Sequence, residues 1–359
     1  MRTITVDLGE RSYPIYIGHP ILNALADICT LHALPHRIAI ITDKGVAPLY
    51  LREITNILEH HGFETIAITI PSGERQKSLT RANTIFTELL EHRLKRDSAI
   101  MAFGGGVVGD LTGFIAATYR RGIPFIQAPT TLLGQVESSV GGKVGINISG
   151  TKNAAGAFYQ PKFVFSDVNL LSTLPRREII CGIGEILKYG YLSEEMFSFL
   201  DANIERILGK DLSVIEETII RCNEMKARMI SEDEREMAPN GGRIVLNLGH
   251  TIGHALENLS NYSLHHGEAV VVGLKWELAL AKEAGIVDAG TFEKIHSLLS
   301  RVNFNPRMDF LTQPKLVKSI CGKNTTAKFI LPKGIGKIET VEIESSLFKK
   351  VIKNKKAGD

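Results

Sequence analysis

The chain has 359 residues, 44% apolar and 23% charged, a balance that excludes a disordered or fibrous protein and leaves room for two hydrophobic cores. Its formal charge of +3 is too small to make nucleic acid or an anionic membrane the natural partner, so any anion has to be caught locally. No stretch is long and apolar enough to span a bilayer, and Cys29, Cys181, Cys222 and Cys321, with no C-x-x-C among them, argue against disulfides and against thiolate zinc.

Met1 to Leu8 alternates like a strand and lacks the apolar run and cleavage site of a secretion signal, which with reduced cysteines predicts a cytoplasmic protein. From there strand and helix alternate. Arg37 to Asp43 (RIAIITD) and Thr65 to Ile70 (TIAITI) are β-branched runs ended by turn residues, with a helical pattern from Tyr50 to His60 between them. Leu79 to His92 (helix), Ser98 to Phe103 (strand), Asp110 to Tyr119 (helix) and Pro124 to Ala128 (strand) continue the rhythm, which predicts parallel βαβ units in a Rossmann-like α/β domain.

Near Pro175 the texture changes. Ile179 to Tyr189, Glu194 to Leu208, Leu212 to Glu232, Thr251 to Leu259, Glu268 to Ala284 and Gly290 to Val302 all carry helical periodicity, so residues 1–175 are expected to form the α/β domain and residues 176–359 a mainly α-helical one. The lysine-rich end, Lys349 to Lys356, reads as a frayed terminus.

Three constellations carry chemistry. Gly104-Gly105-Gly106-Val107-Val108-Gly109 satisfies G-x-G-x-x-G between a strand and a helix starting at Asp110, where glycines let a backbone approach a pyrophosphate and helix amides face its charge. Asp43 at a strand end suits ribose hydroxyls, and Ser72-Gly73-Glu74-Arg75-Gln76-Lys77 follows the next strand with a glycine and a cation. Such turns gather beyond the carboxyl ends of a parallel sheet, which favours NAD.

The second constellation is Gly249-His250-Thr251-Ile252-Gly253-His254, two imidazoles at i and i+4 on one helix face, followed by His265-His266 in a chain with only 11 histidines. With Glu185 as an oxygen ligand, two imidazoles and a carboxylate would leave a zinc-type ion one open position, although spacing alone does not choose which histidines ligate. The third is glycine-rich: read as short polar loops, Gly141-Gly142-Lys143 and Thr151-Lys152-Asn153 suit a grip on phosphate or carboxylate, and Arg120, Arg121, Lys188, Lys226 and Arg243 add cations for an acidic substrate.

The long block GGGVVGDLTGFIAATYRRGIPFIQAPTTLLGQVESSVGGKVGIN, followed by GTKNAAGAFYQP, LSTLPRRE, GEILKYG, LNLGHTIGHALE and HHGEAV, closely resembles the 3-dehydroquinate synthase family of sugar phosphate cyclases over most of residues 40 to 280. The resemblance implies conversion of 3-deoxy-arabino-heptulosonate 7-phosphate to 3-dehydroquinate and phosphate in the shikimate route to aromatic amino acids. The steps it implies are transient oxidation by NAD, phosphate β-elimination, re-reduction and aldol closure in a homodimer with zinc or cobalt. By resemblance Glu185, His250 and His266 are the metal ligands and His254 an active-site histidine. The implied NAD contacts are Asp43, Ser72, Gly73, Glu74, Arg75, Gln76, Lys77, Gly106, Val107, Val108, Gly109, Asp110, Thr130, Thr131, Lys143, Lys152, Leu170, Leu171, Ser172 and Thr173. Substrate would face Glu137, Lys143, Asn153, Lys188, Lys226, Arg243, Asn247 and His254, while Arg121, with Arg120 as the alternative, would reach the neighbouring subunit's site. Glu137 departs from the family's usual aspartate, and Lys323 stands where the family's C-terminal Asp-Lys-Lys would supply a phosphate ligand. A metal-dependent polyol dehydrogenase, a cyclase for another sugar phosphate and a non-catalytic NAD-binding protein are the rival readings.

Overall fold

The β-branched runs of the first half become a seven-stranded sheet in the computed structural model, which describes residues 1–238 and 242–354. In chain order the elements are β1 (Arg2–Val6), β2 (Tyr13–Gly18), α1 (Leu25–Leu31), β3 (Arg37–Asp43), α2 (Arg52–His60), β4 (Glu64–Ile70), α3 (Leu79–Glu91), β5 (Ser98–Gly104), α4 (Gly106–Thr118), β6 (Phe125–Pro129), β7 (Lys143–Ile148), β8 (Thr151–Phe158) and β9 (Phe163–Asp167). The sheet runs β1-β2-β9-β6-β5-β3-β4, antiparallel only between β1 and β2. Period-two alternation sends Ile38, Ile40, Met101 and Phe103 to the face covered by α1 and α2, and Ala39, Ile41, Ile100 and Ala102 to the face covered by α3 and α4. Each large side chain among them is fully buried and stabilises the fold by about 1.5–3 kcal/mol.

Two local expectations are corrected here. Helix α4 begins at Gly106, not at Asp110, so the last glycines of the motif are its first turn. Glycine is a poor helix former, yet a Cβ on Gly109 would lie 2.9 Å from Gln127 Oε1 and one on Gly113 2.2 Å from Val144 Cγ1. Tight packing on the sheet and on β7 therefore outweighs propensity. The lysine-bearing stretches are not loops but the antiparallel hairpin β7–β8, which buries Val144 and Ile146 in the α3–α4 core.

The chain continues through α5 (Arg176–Leu192), α6 (Glu194–Leu208), α7 (Leu212–Glu232), α8 (His250–Leu259), α9 (His266–Glu283), α10 (Ala289–Arg301), α11 (Gln313–Cys321), β10 (Thr326–Gly334), β11 (Lys337–Glu344) and α12 (Ser345–Asn354). It divides into two units, Met1–Leu174 with Ile215–Arg235 and Pro175–Val214 with Glu236–Asp359. Most of α7 thus groups with the α/β unit, where Asn223 Nδ2 donates to Gln135 O at 2.9 Å; those buried polar contacts, not the boundary expected at residue 175, decide its place. The second unit is helical with one added hairpin, β10–β11. Its lysine-rich end is helix α12, with Phe348, Val351 and Ile352 buried on one face, and Lys355 and Lys356 lie outside the described residues. No helix among the described residues is long and apolar enough to cross a membrane.

Helices α5, α8 and α9 meet backbone to backbone. A Cβ on Gly267 would lie 1.9 Å from Cys181 O, and one on Gly273 would lie 2.0 Å from Gly249 O, so α9 touches α5 at one end and α8 further along. Such contact fixes the helices to within a fraction of an ångström.

Candidate active site

In the α/β unit, the segments singled out from sequence follow the carboxyl ends of parallel strands: Asp43 ends β3, Ser72 to Lys77 follows β4, Gly106 to Asp110 follows β5, Thr130 and Thr131 follow β6, and Leu170 to Thr173 follows β9. Asp43 Oδ1 accepts from Ser72 Oγ at 2.8 Å and from the Gly45 amide at 2.7 Å, tying two of these turns together. Lys77 is the hub of the rest. Its buried ammonium donates to Asp110 Oδ2 at 2.7 Å and Asn153 Oδ1 at 2.6 Å, with Glu74 Oε1 at 3.6 Å. Burial works against its charge, but Asp110 and Glu74 prevail and raise its pKa above the ordinary lysine value. Asn147 extends the network, donating to Glu74 and accepting from the Asn153 amide, both at 2.9 Å.

The first turn of α4 has no side-chain cap, so its amides face outward from the end of β5, and the buried Thr130 hydroxyl has no hydrogen-bond partner among the described residues. Unsatisfied helix amides beside a buried hydroxyl fit an anionic phosphate group. Arg75, Ser72, Gly73, Ser172 and Thr173 are exposed, whereas Val108, Leu170 and Leu171 bury their side chains and can offer a ligand only backbone. The hairpin register sets Lys143 and Lys152 about four strand residues apart, roughly 13 Å along the backbone. Glu137, in the turn after β6, reaches Lys226 of α7, whose buried ammonium sits 2.7 Å from Glu137 Oε1. Arg120 and Arg121 are exposed in a turn of left-handed backbone with φ of 52° and 69°.

In the helical unit, α5 contributes Glu185 and Lys188, α8 contributes His250 and His254, and α9 begins at His266. Glu185 is fully buried; its Oε1 lies 3.3 Å from His250 Nε2 and 3.0 Å from His266 Nε2, and its Oε2 lies 2.5 Å from Lys188 Nζ. Burial pushes the Glu185 carboxyl toward protonation, yet Lys188 and His250 overcome this and hold it well below the usual carboxylate range. Burial likewise opposes charge on His266, but Glu185 and Glu257 on either side push it up to about 10. Lys188 is itself fully buried against Glu185. Arg243 is buried in the turn before α8, and Asn247 Nδ2 donates to Glu236 Oε1 at 2.5 Å.

The outer contacts of the two imidazoles fix which nitrogen faces inward. His250 Nδ1 meets the Leu248 carbonyl oxygen at 3.0 Å and His266 Nδ1 meets Glu257 Oε2 at 3.1 Å, so both Nε2 atoms are directed at Glu185. The three donor atoms lie within 4.8 Å of one another, and this oriented carboxylate–imidazole–imidazole set fits a divalent ion with an open position. His254 is exposed one turn along α8, its ring centroid 5.1 Å from that of His250.

Sequence reasoning missed two groups that hold this set. Glu257 lies on α8 seven residues after His250 and is buried there, a spacing that puts it on the histidine face. Glu277 of α9 caps α8 from outside: Gly249, with φ of 82°, has no side chain to offer, and the buried Glu277 carboxylate accepts from the Gly249 amide at 2.6 Å and the Ile252 amide at 3.3 Å. Burial outweighs those hydrogen bonds and pushes its pKa up to about 8.

Two family models match consecutive stretches, 3-dehydroquinate synthase N-terminal at residues 67–181 and 3-dehydroquinate synthase C-terminal at residues 182–323. The 3-dehydroquinate synthase of Desulforamulus reducens is 43% identical over 349 residues, covering 94% of this chain and 96% of the relative. Among solved structures, 2-deoxy-scyllo-inosose synthase complexed with carbaglucose-6-phosphate, NAD+ and Co2+ superposes with a TM-score of 0.88 at 23% identity over 98% of this chain and all of the other. ValA, the 2-epi-5-epi-valiolone synthase of Streptomyces hygroscopicus subsp. jinggangensis 5008 with NAD+ and Zn2+ bound, gives 0.87 at 23% identity, covering 97% and 98%. The fold likeness extends to these cyclases, and the two family models with near full-length identity above 40% show that the chain belongs to the 3-dehydroquinate synthase family.

Proposed function

We propose that this enzyme is a 3-dehydroquinate synthase, a phosphate-eliminating lyase that turns 3-deoxy-arabino-heptulosonate 7-phosphate into 3-dehydroquinate and inorganic phosphate. The observation that carries the reading is the set of buried Glu185, buried His250 and partly exposed His266, with both Nδ1 atoms already engaged, beside the exposed His254. Glu185, His250 and His266 would hold zinc or cobalt, and the carboxyl-end turns from Asp43 to Thr173 would hold NAD, with phosphate at the α4 amides. Related cyclases contain these same groups. When bound, the ion supplies Lewis acidity at a substrate hydroxyl and NAD a reversible hydride acceptor, so the net reaction is redox neutral.

The chain's own residues do the rest. His254 sits in reach of solvent and moves the proton of the reacting hydroxyl. Lys188 keeps Glu185 ionised as a ligand. Lys143, Asn153, Lys226, Arg243 and Asn247 orient the substrate's carboxylate, hydroxyls and phosphate, and fixing those anions confines the enol that phosphate loss creates. Glu137 holds the Lys226 ammonium in place. Lys77 acts on the NAD side as a strut between turns. The exposed Arg121 serves the active site of a second copy in a homodimer. Four buried cysteines, none in a disulfide, agree with work in a reducing cytoplasm.

The test is to incubate the protein with the heptulosonate phosphate, zinc and a catalytic amount of NAD while following phosphate and NADH. Phosphate in many-fold excess over NAD, no accumulating NADH and loss of activity on chelation are expected. Lasting NADH from a simple polyol, with no phosphate released from the heptulosonate, would overturn the proposal in favour of a dehydrogenase.

A further inference from the structure

A second group of metal-ligating side chains lies one to two helical turns from the first. Glu178 and Cys181 stand at i and i+3 on α5 and so share a face, and His265, the residue before α9, closes on them from the other side. His265 Nδ1 lies 2.9 Å from Glu178 Oε1, and one donor atom from each of the three residues falls within 4.8 Å of the others. The backbone holds this register, because Gly267 is pressed so closely on the Cys181 carbonyl that a Cβ there would lie 1.9 Å from it. The thiol is buried while His265 and Glu178 are partly exposed, so the site has a closed back and an open mouth. Glu178 precedes Glu185 by seven residues, which separates the two groups by about 10 Å along α5. Their histidines are adjacent in sequence but diverge, His266 toward Glu185 and His265 toward Glu178.

We propose that Glu178, Cys181 and His265 form a second zinc site, distinct from the Glu185, His250 and His266 set and independent of how that set is read. A tetrahedral zinc ion with sulfur, nitrogen and oxygen ligands needs ligand separations of about 3.5 Å, a modest contraction of the present group. The charges suit a divalent ion: one carboxylate and one thiolate cancel it. The nearby Arg177 guanidinium is already taken by Glu268, at 2.7 and 2.6 Å. Water from the open side completes the coordination. A thiolate selects a borderline-soft ion such as zinc over magnesium or calcium. Burial, with Glu178 and Glu268 nearby, pushes the Cys181 thiol pKa well up, so it enters as S–H; binding breaks that bond, forms sulfur–metal, and releases the proton to buffer. Cysteine spacing is silent on such a site, because it registers only donors close in sequence and His265 comes from a distant segment.

The experiment is a titration of the chelator-stripped, full-length protein with Co2+ and, separately, with Zn2+. Cobalt bound by Glu185, His250 and His266 has no sulfur ligand, so a thiolate-to-cobalt charge-transfer band in the near ultraviolet reports the second site alone. Two equivalents per chain are expected, with the band present in wild type and in His250→Ala, absent in Cys181→Ser and weakened in His265→Gln. Saturation at one equivalent, a wild-type spectrum without the band, or a band that survives Cys181→Ser would overturn the proposal. Should Cys181→Ser fail to fold, the His265→Gln spectrum decides: an undiminished band and two equivalents there refute the site.

Discussion

Replacing Glu277 by glutamine changes how the helical unit responds to pH, by an amount the structure allows one to work out. The carboxyl is fully buried, and its pKa rises from the ordinary 4.5 to about 8. The folded state therefore keeps its proton across a range in which the unfolded chain has lost it. That contribution to stability is complete below pH 4.5 and is lost as pH rises to 8. At 1.36 kcal/mol per pH unit, the part lost between pH 5 and pH 8 is roughly 3.5 kcal/mol. Glutamine keeps the shape and can still accept the shorter of the two bonds, from the Gly249 amide, through its one oxygen, but has no proton to lose. The stability of Glu277→Gln relative to wild type should thus improve by about 3.5 kcal/mol from pH 5 to pH 8, all other titrations cancelling in the difference. Trp276, the only tryptophan and buried next to Glu277 on α9, reports urea unfolding of this unit by its fluorescence. A gap between variant and wild type that stays constant over that pH range would refute the reasoning.

His250→Ala should lose activity together with the ion of the Glu185, His250 and His266 set, whereas His254→Ala should keep wild-type metal content by atomic absorption while turnover falls by roughly 10²–10⁴, the range for a lost proton-transfer group. Glu257→Ala removes the partner of His266 Nδ1 and should weaken metal affinity by about 10–100-fold in a competition titration with a chromogenic chelator. Gly273→Ala places a methyl group 2.0 Å from Gly249 O and should cost on the order of 3 kcal/mol, read as a lowered thermal midpoint together with weaker metal binding.

The parts of the fold that announce themselves in sequence do so by continuous apolar runs or by helical period. RIAIITD and SAIMAF are buried on both faces and become β3 and β5, and the histidines at 250 and 254 share a face because α8 is a regular helix. What sequence conceals depends on contacts between distant residues. Strand β8, with small and mostly exposed residues, has no alternation of its own and takes its conformation from pairing with β7. The placement of residues 215–235 rests on long-range partners such as Gln135 and Glu137 for Asn223 and Lys226. Glu257 and Glu277 look like ordinary charges on a helix until their burial against amides and imidazoles is seen. Helix α12 escaped the sequence reading: Phe348, Val351 and Ile352 keep a helical spacing, but the run of lysines suggests fraying instead.

The course of the chain through α7 bears on how such an enzyme can be rearranged. Three junctions, at 174/175, 214/215 and 235/236, separate the two units, and the middle one falls inside the first turn of a helix. A single crossover between genes at residue 175 would therefore exchange not one unit but the helical unit plus the stretch that completes the other. The incoming chain would have to bring a residue matching Asn223 for the Gln135 carbonyl and a cation matching Lys226 for Glu137. Inheritance of the two halves is coupled through that one helix, so new specificities in this architecture are reached more readily by side-chain substitution within an intact chain than by shuffling its halves.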